Sequence, residues 1–463
     1  MLTLFIFPKH RFSLSRVIGT SALIITAVAF LWNGSGWSLF VNILCYFLFI
    51  GTVIAPITRS LFTNAQLGLY NLLGSPFQLL IDLSRLKISN APRLNRIIRY
   101  YYLVVPALII GFFILIYSAS NPIFNKLLND VFGGLFNWFW EFADTLNAQL
   151  IATWLFGLVI SIYSFIHYSN FDLIHIDANS SDHLARVRLR INRSYKRTGL
   201  KSEWYAALFL LTALNLLILV INLIDIYWVW FNFEWEGEYL KQFVHSGTYL
   251  LILSILLSMA IVLYFFRGNL NFLSRNHRLK LLCYIWLGQN AILAISVAIR
   301  NLHYIHYFAL ASKRIGVMFF IALVLVGIFT VFLKVQKKKS VFYLLRMNML
   351  AVIVAFVISS LPNWDRIIIE YNFNHYNESF VHFDYLATFD ANNLSYLDRS
   401  MEELNAIESV QTELFPFEET YMTAEEYAYR IQEKKTELEV LYEQRTWQEW
   451  TMARQRAFTF IGK

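Results

Sequence analysis

Apolar runs of about 20 residues, the length that crosses a hydrocarbon core about 30 Å thick, recur along this chain between short polar loops. They predict nine membrane-spanning helices near 17–33, 37–57, 99–119, 149–168, 205–229, 247–266, 281–300, 315–334 and 342–361. The first, preceded by "MLTLFIFPKHRFSLSR", lacks a small-residue cleavage pattern and reads as a retained span. The stretch "NAQLGLYNLLGSPFQLLIDL" (64–83) is also apolar, but a crossing there would invert every later loop. It reads instead as an amphipathic helix in the inner interface. "VFGGLFNWFWEF" is its outer-face counterpart, because Trp and Phe favour the headgroup level.

Past Pro362 the pattern changes to short helices around aromatic anchors, followed by a long helix from Thr423. Thr423 and Glu426 stand at capping-box spacing, which satisfies backbone N–H groups at a helix start. Tyr427, Ile431, Leu438, Leu441 and Tyr442 share one apolar face. The expected fold is all-α: a polytopic transmembrane helix bundle over 1–361 and a small, acidic, helical extramembrane domain over 362–463.

Composition agrees with the pattern. The 463 residues are 57% hydrophobic and 15% charged, against about 25% charged in soluble domains. The net charge of +8 hides a split, with 30 Lys+Arg against 12 Asp+Glu in 1–361 and 9 against 19 in 362–463. The cations collect in alternate loops: "LARVRLRINRSYKRTGLK", "RGNLNFLSRNHRLK" and "KVQKKK" are basic, whereas "FNFEWEGEYLKQF" is acidic. Cytoplasmic loops collect Lys and Arg, so the amino end is expected inside and the C-terminal domain outside. Cations confined to short loops beside spans anchor helices; they do not make a nucleic-acid surface. Cys45 and Cys283 lie inside apolar runs, so neither a disulfide framework nor a zinc site follows from them. One segment breaks the alternation: "RNLHYIHYFALASKRIG" (300–316) places Arg300, Lys313 and Arg314 on the outer side.

Ionisable groups are expensive inside a bilayer and mark function where they occur. The span centres here are nearly free of them, which disfavours proton or ion coupling. Amide polarity remains. Asn215, Asn222 and Asp225 share a helix face, and Gln289 and Asn290 sit within the seventh span. Such residues form interhelical hydrogen bonds, worth about 0.6–2 kcal/mol each, or line a ligand cavity. Asp225 and Arg300 fall at the same depth, where a carboxylate and a guanidinium can offset each other's desolvation. Arg300 is therefore expected to pair with Asp225 or with an acid of the tail. His303 and His306 have metal-chelating spacing but no companion ligand pattern, and read as interfacial. No phosphate loop, GxSxG elbow or HExxH is present, so no catalytic residue, metal or cofactor is assigned.

The segments "YLKQFVHSGTYLLILSILL" and "RLKLLCYIWLGQNAILAISVAIRNLHYIHYFALASKRIG" resemble a bacterial membrane family known only as a domain of unknown function (DUF family 4173). Tyr239, Gly247, Trp286, Gln289, Asn290, Ser296, Arg300, Tyr304, Leu310 and Arg314 fall at matching places. "SASNPIF", "NWDRIIIEYNF" and "FDYLATFDANNLSYL" are similar to further motifs of that family. Phe308, Ala309 and Ala311 stand where that pattern has Tyr, Gly and Thr, so a turn that needs Gly is expected to be absent or relaxed. The resemblance implies a multi-pass protein of the bacterial inner membrane, without an established activity. The candidate cluster at the outer mouth is Asn215, Asn222, Asp225, Gln289, Asn290, Arg300, Tyr304 and Arg314. The leading expectation is a non-enzymatic, sensor-like or scaffold component of the envelope. Its acidic tail would dock electrostatically on the 300–314 cations, with membrane lipids and another envelope protein as partners. A transporter or channel subunit is the alternative, and an enzyme acting on a lipid-linked substrate a third reading.

Overall fold

In the computed structural model, residues 13–85, 126, 130, 133, 148–186, 193–233, 237–273, 276–416, 418, 421–444, 446 and 449–462 are described. Every extended element among them is helical, and the one β-bridge joins His183 to Lys339. The helices are α1 (Leu14–Asn33), α2 (Gly36–Ile54), α3 (Leu61–Arg85), α4 (Ala148–Phe165), α5 (Phe171–Asn179), α6 (Arg193–Asp225), α7 (Gly237–Phe265), α8 (His277–Phe308), α9 (Ser312–Lys337) and α10 (Val341–Ser360). The tail adds α11 (Trp364–Asn374), α12 (Phe383–Leu386), α13 (Leu394–Leu397), α14 (Met401–Leu414), α15 (Ala424–Gln444) and α16 (Met452–Phe460).

Among the described residues, six segments are long and apolar enough to cross a membrane: Leu14–Asn33, Gly36–Ile54, Leu200–Phe231, His277–Phe308, Ser312–Lys337 and Val341–Ser360. These six account for the spans expected near 17–33, 37–57, 205–229, 281–300, 315–334 and 342–361. The spans expected at 149–168 and 247–266 appear as the shorter apolar stretches Phe156–Phe165 and Tyr249–Phe265. The span expected at 99–119, the "SASNPIF" motif and "VFGGLFNWFWEF", apart from Gly133, lie outside the described residues.

The described residues pack as two compact units. One is drawn from Met1–Val17, Phe47–Arg59 and Thr63–Ala178, the other from Ile18–Tyr46, Ser60–Phe62 and Asn179–Lys463.

In the first unit, the end of α2 and the start of α3 run antiparallel in backbone contact. A Cβ at Gly51 would fall on the Asn64 carbonyl, and one at Gly68 on the Phe47 carbonyl. Small residues at these two crossings let the helix axes approach closely. Tyr163 Oη of α4 donates to Gly68 O at 3.1 Å, and Asn71 Nδ2 donates to Tyr163 O at 2.9 Å. The chain then returns through α5 to Asp177, which is buried. Its carboxylate accepts from Arg59 N at 2.6 Å and Thr63 Oγ1 at 2.7 Å. A negative charge at the start of α3 complements the helix dipole.

In the second unit α8 is the central helix, packed against α6, α7 and α9. Leu211, Ile255, Val262, Leu279, Leu287, Leu293, Val297, Ile321 and Val331 belong to the shared core. Asn215 meets Leu282, Asn222 meets Gln289 and Val229 meets His303, so α6 and α8 run parallel. The basic loops gather at one end. Arg346 pairs with Asp182 at 2.6 Å, Ser340 N donates to Asp182 O at 3.0 Å, and Leu184 N donates to Lys338 O at 2.9 Å. Buried Lys334 donates to Phe266 O, the end of α7, at 3.0 Å. Lys338, in the left-handed region at φ 49°, closes the α9 C-terminus.

The tail helices build their own apolar core. Ile368, Ile369, Phe373, Leu386, Leu394, Leu397, Leu404, Ile407, Tyr427, Ile431 and Leu438 are all buried in it. The α15 capping box is formed: Thr423 N donates to Glu426 Oε2 at 3.0 Å, and Glu426 N to Thr423 Oγ1 at 3.3 Å.

Candidate functional site

Between α6 and α8 runs a ladder of buried polar groups. Gln289 Nε2 donates to Asn215 Oδ1 at 2.8 Å, and Asn215 Nδ2 donates to Leu282 O at 3.1 Å. Asn222 Nδ2 donates to Gln289 O at 3.1 Å. Higher in the seam Arg300 Nη2 donates to Asp225 Oδ1 at 2.5 Å. The carboxylate sits where α6 passes into a π-helical segment, Ile226–Phe231. Widened turns of that kind occur frequently at functional sites. Here the segment sets Trp230 Nε1 to donate to Ser296 Oγ at 2.8 Å. It also places Val229 O at 2.9 Å from His303 Nε2, and the His303 ring stacks on Phe233.

The candidate residues thus fall into two groups. Asn215, Asn222, Gln289, Asp225 and Arg300 line the seam. Tyr304 and Arg314 belong to the α8–α9 turn, and Asn290 joins neither group. Asn290 is fully buried and donates to Trp286 O of its own helix at 2.7 Å. Four acceptor oxygens, Asn222 Oδ1, Asp225 Oδ2, Gln289 Oε1 and Asn290 Oδ1, are buried without a protein donor among the described residues.

The α8–α9 turn overturns the expectation that it relaxes without glycine. Ala309 adopts φ 61° and ψ −167°, a region essentially reserved for Gly. The neighbourhood holds it there. Arg314 Nη1 donates to Phe308 O at 2.6 Å and to Ala309 O, and its guanidinium lies 4.5 Å from the Tyr304 ring centre. Asn301 Nδ2 donates to Arg314 O at 3.0 Å.

From the other side the tail grips the same turn. Asn372 of α11 pairs with the Leu310 backbone in both senses: Leu310 N donates to its Oδ1 at 2.8 Å, and its Nδ2 donates to Leu310 O at 3.1 Å. Phe380 N donates to Tyr307 O at 2.6 Å, and Ser379 Oγ to His306 O at 2.7 Å. Ser312 N donates to Tyr385 Oη at 3.0 Å. Phe308, Phe380 and Phe415 are buried together, with Tyr304 and Tyr307 against them. The tail does meet the 300–316 segment, but through backbone hydrogen bonds and aromatic packing rather than through the electrostatic docking expected. Arg300 is turned to Asp225 and Arg314 to carbonyls of its own turn.

Asn372, Tyr385, Trp230 and Ala309 were absent from the sequence-derived cluster. Asn372 was detectable, since it shares the buried face of Ile368, Ile369 and Phe373, where an amide needs a partner.

Apolar helices whose buried polar groups bond one another, joined to a folded helical domain, define a multi-pass membrane protein of the helical class. Residues 20–400 match the family model described as "Domain of unknown function (DUF4153)", and the chain belongs to that family. That assignment corrects the number attached to the motif resemblance, DUF family 4173. No curated protein and no solved structure matches the chain.

Proposed function

We propose that this protein is a non-enzymatic scaffold or sensor-like component of the bacterial inner membrane, with the 362–463 domain as its extracytoplasmic, partner-facing part. One observation carries the reading: Asn372 and Tyr385 dock the tail on the α8–α9 turn through its backbone. A fixed cap at one end of a bundle presents a rigid surface, and the exposed side of α15, with Tyr429, Val440 and Leu441, is free to meet another envelope protein. The proposed topology has nine crossings with the amino end inside. The gathering of Lys338, Lys339 and Arg346 at one end of the second unit supports it, since cations favour the cytoplasmic side. Two experiments test the proposal. Reporter fusions should place residue 400 outside the cytoplasm, and a cysteine pair at 310 and 372 should crosslink in intact membranes. A cytoplasmic residue 400 would overturn it.

A second reading has its own observation. The unpartnered acceptors of Asn222, Asp225 and Gln289 suit a donor-rich neutral solute entering the seam, as in a transporter or channel subunit. Replacing Asn222 and Gln289 by Leu separates the two. Lost solute flux with intact assembly favours transport, whereas failed assembly favours interhelical bonding.

A further inference from the structure

We propose that α3 is embedded in the hydrocarbon of the bilayer beside α2, with Leu69, Tyr70, Leu72, Leu73 and Phe77 facing lipid acyl chains. The proposal rests on α2 being a membrane span. An interfacial helix turns its polar side to water and its apolar side to lipid. The polar residues of α3 do not face water. Thr63, Asn64, Asn71 and Ser75 form a buried stripe at helical spacing, with both asparagines fully buried. The opposite side is apolar and open: Leu69 is 56% and Leu73 71% exposed. Polar inside and apolar outside is the arrangement of a helix whose surroundings are lipid.

The depth follows from the register with α2. Gly51 meets Asn64 and Gly68 meets Phe47, one turn apart on both helices, so the two helices run antiparallel. Phe47 is close to the middle of α2 (Gly36–Ile54), which brings Gly68 to mid-span depth. Leu69 and Leu72 are within about a turn of it. The 25 residues of α3 would reach about 37 Å at 1.5 Å per residue, enough to cross. Pro76 removes one backbone donor inside this helix, which membrane helices tolerate.

A crossing at α3 moves the segment between α3 and α4 to the other side but does not reverse the loops that follow α5. Tyr168 packs on Gly74, and nine residues later Asp177 is back at Thr63 and Arg59, the start of α3. α4 and α5 therefore turn back beside α3, and α3 takes the place of α4 among the nine crossings of the proposed topology.

Nitroxide labels on the full-length chain in liposomes test this, after replacement of the buried free cysteines Cys45 and Cys283. The variants are Leu69→Cys, Leu72→Cys and Leu73→Cys, with Ile43→Cys on α2 and Glu425→Cys as the aqueous control. At 69, 72 and 73, collisions with oxygen should exceed those with a water-soluble nickel chelate several-fold, as at 43, with the reverse at 425. Nickel accessibility at 69–73 comparable with that at 425, or protection from both reagents, overturns the proposal. Nickel accessibility at Ile43 would instead overturn the membrane placement on which it rests. Leu73→Cys, at the most exposed position, decides alone if the other α3 variants fail to accumulate.

Discussion

Arg300 Nη2 lies 2.5 Å from Asp225 Oδ1 across two parallel helices, and the two side chains retain 4% and 5% of their exposure. A pair so buried contributes little net stability, because the Coulomb attraction mostly repays desolvation. Breaking it is different, since one charge is left in an apolar seam. Asp225→Ala or Arg300→Ala should each destabilise the protein by about 3–5 kcal/mol. The double exchange Asp225→Arg with Arg300→Asp should recover much of that loss. Melting of the detergent-solubilised protein, with membrane abundance alongside, measures both. Absence of any recovery in the exchange variant would show that the two residues act independently.

Ala309 holds a backbone conformation that costs a non-glycine residue about 1–3 kcal/mol. Ala309→Gly should therefore stabilise the protein by about 1 kcal/mol, after allowing for the greater freedom of glycine in the unfolded chain. Ala309→Val should destabilise it, because β-branching worsens the same clash. The melting midpoints of the two variants should move in opposite directions.

Asn372 satisfies the amide and carbonyl of Leu310 together. Asn372→Leu leaves both half-buried backbone groups of Leu310 without this partner, at up to about 1–3 kcal/mol each. The expected result is a tail that protease removes faster from intact membranes, while the bundle remains folded. Tyr385→Phe, which removes the hydrogen bonds of its hydroxyl with Ser312 N and Ser312 Oγ, should have a smaller effect in the same direction.

The Asp365 carboxyl is pushed above the usual carboxylate range, first by burial and then by nearby Asp390, against the hydrogen bond from Asn393. The folded state thus holds this proton more tightly than the unfolded chain does. Its contribution is fully present below the unfolded value of about 3.9 and is lost as pH rises through the folded value. Asp365→Asn should remove that loss. Its melting midpoint should exceed that of the parent near neutral pH, and the advantage should shrink as the solution is acidified.

These four relationships show what could be read from the chain. The meeting of Asp225 with Arg300 was foreseeable, because each stands near the end of an apolar run and burial forces opposite charges together. The location of the tail on the 300–316 segment was also foreseeable from the charge split, but the means was not. Net charge says nothing about Asn372 or Tyr385, whose partners are backbone atoms 62 and 73 residues away. The strained Ala309 was misjudged for a related reason. Local preference argues against φ > 0 at alanine, whereas contacts from residues further along the chain, those of Arg314 and Asn372 among them, hold the turn. In α3 the alternation of small polar and large apolar positions was visible, but the side that meets protein was not.

The end of α10 and the tail helix α16 also reach the first hairpin. Asn33 Nδ2 donates to Leu361 O at 2.8 Å, Trp37 Nε1 donates to Ser359 Oγ at 3.1 Å, and Gly34 leaves room for Ala453 and Thr451. Elements made at the beginning of translation are thereby completed by elements made near its end. The hairpin must wait, inserted but only half-covered, until more than 400 further residues have left the ribosome. Quality control that surveys nascent membrane proteins would encounter this protein in that open state, and a ribosome that stalls before α16 would leave it there.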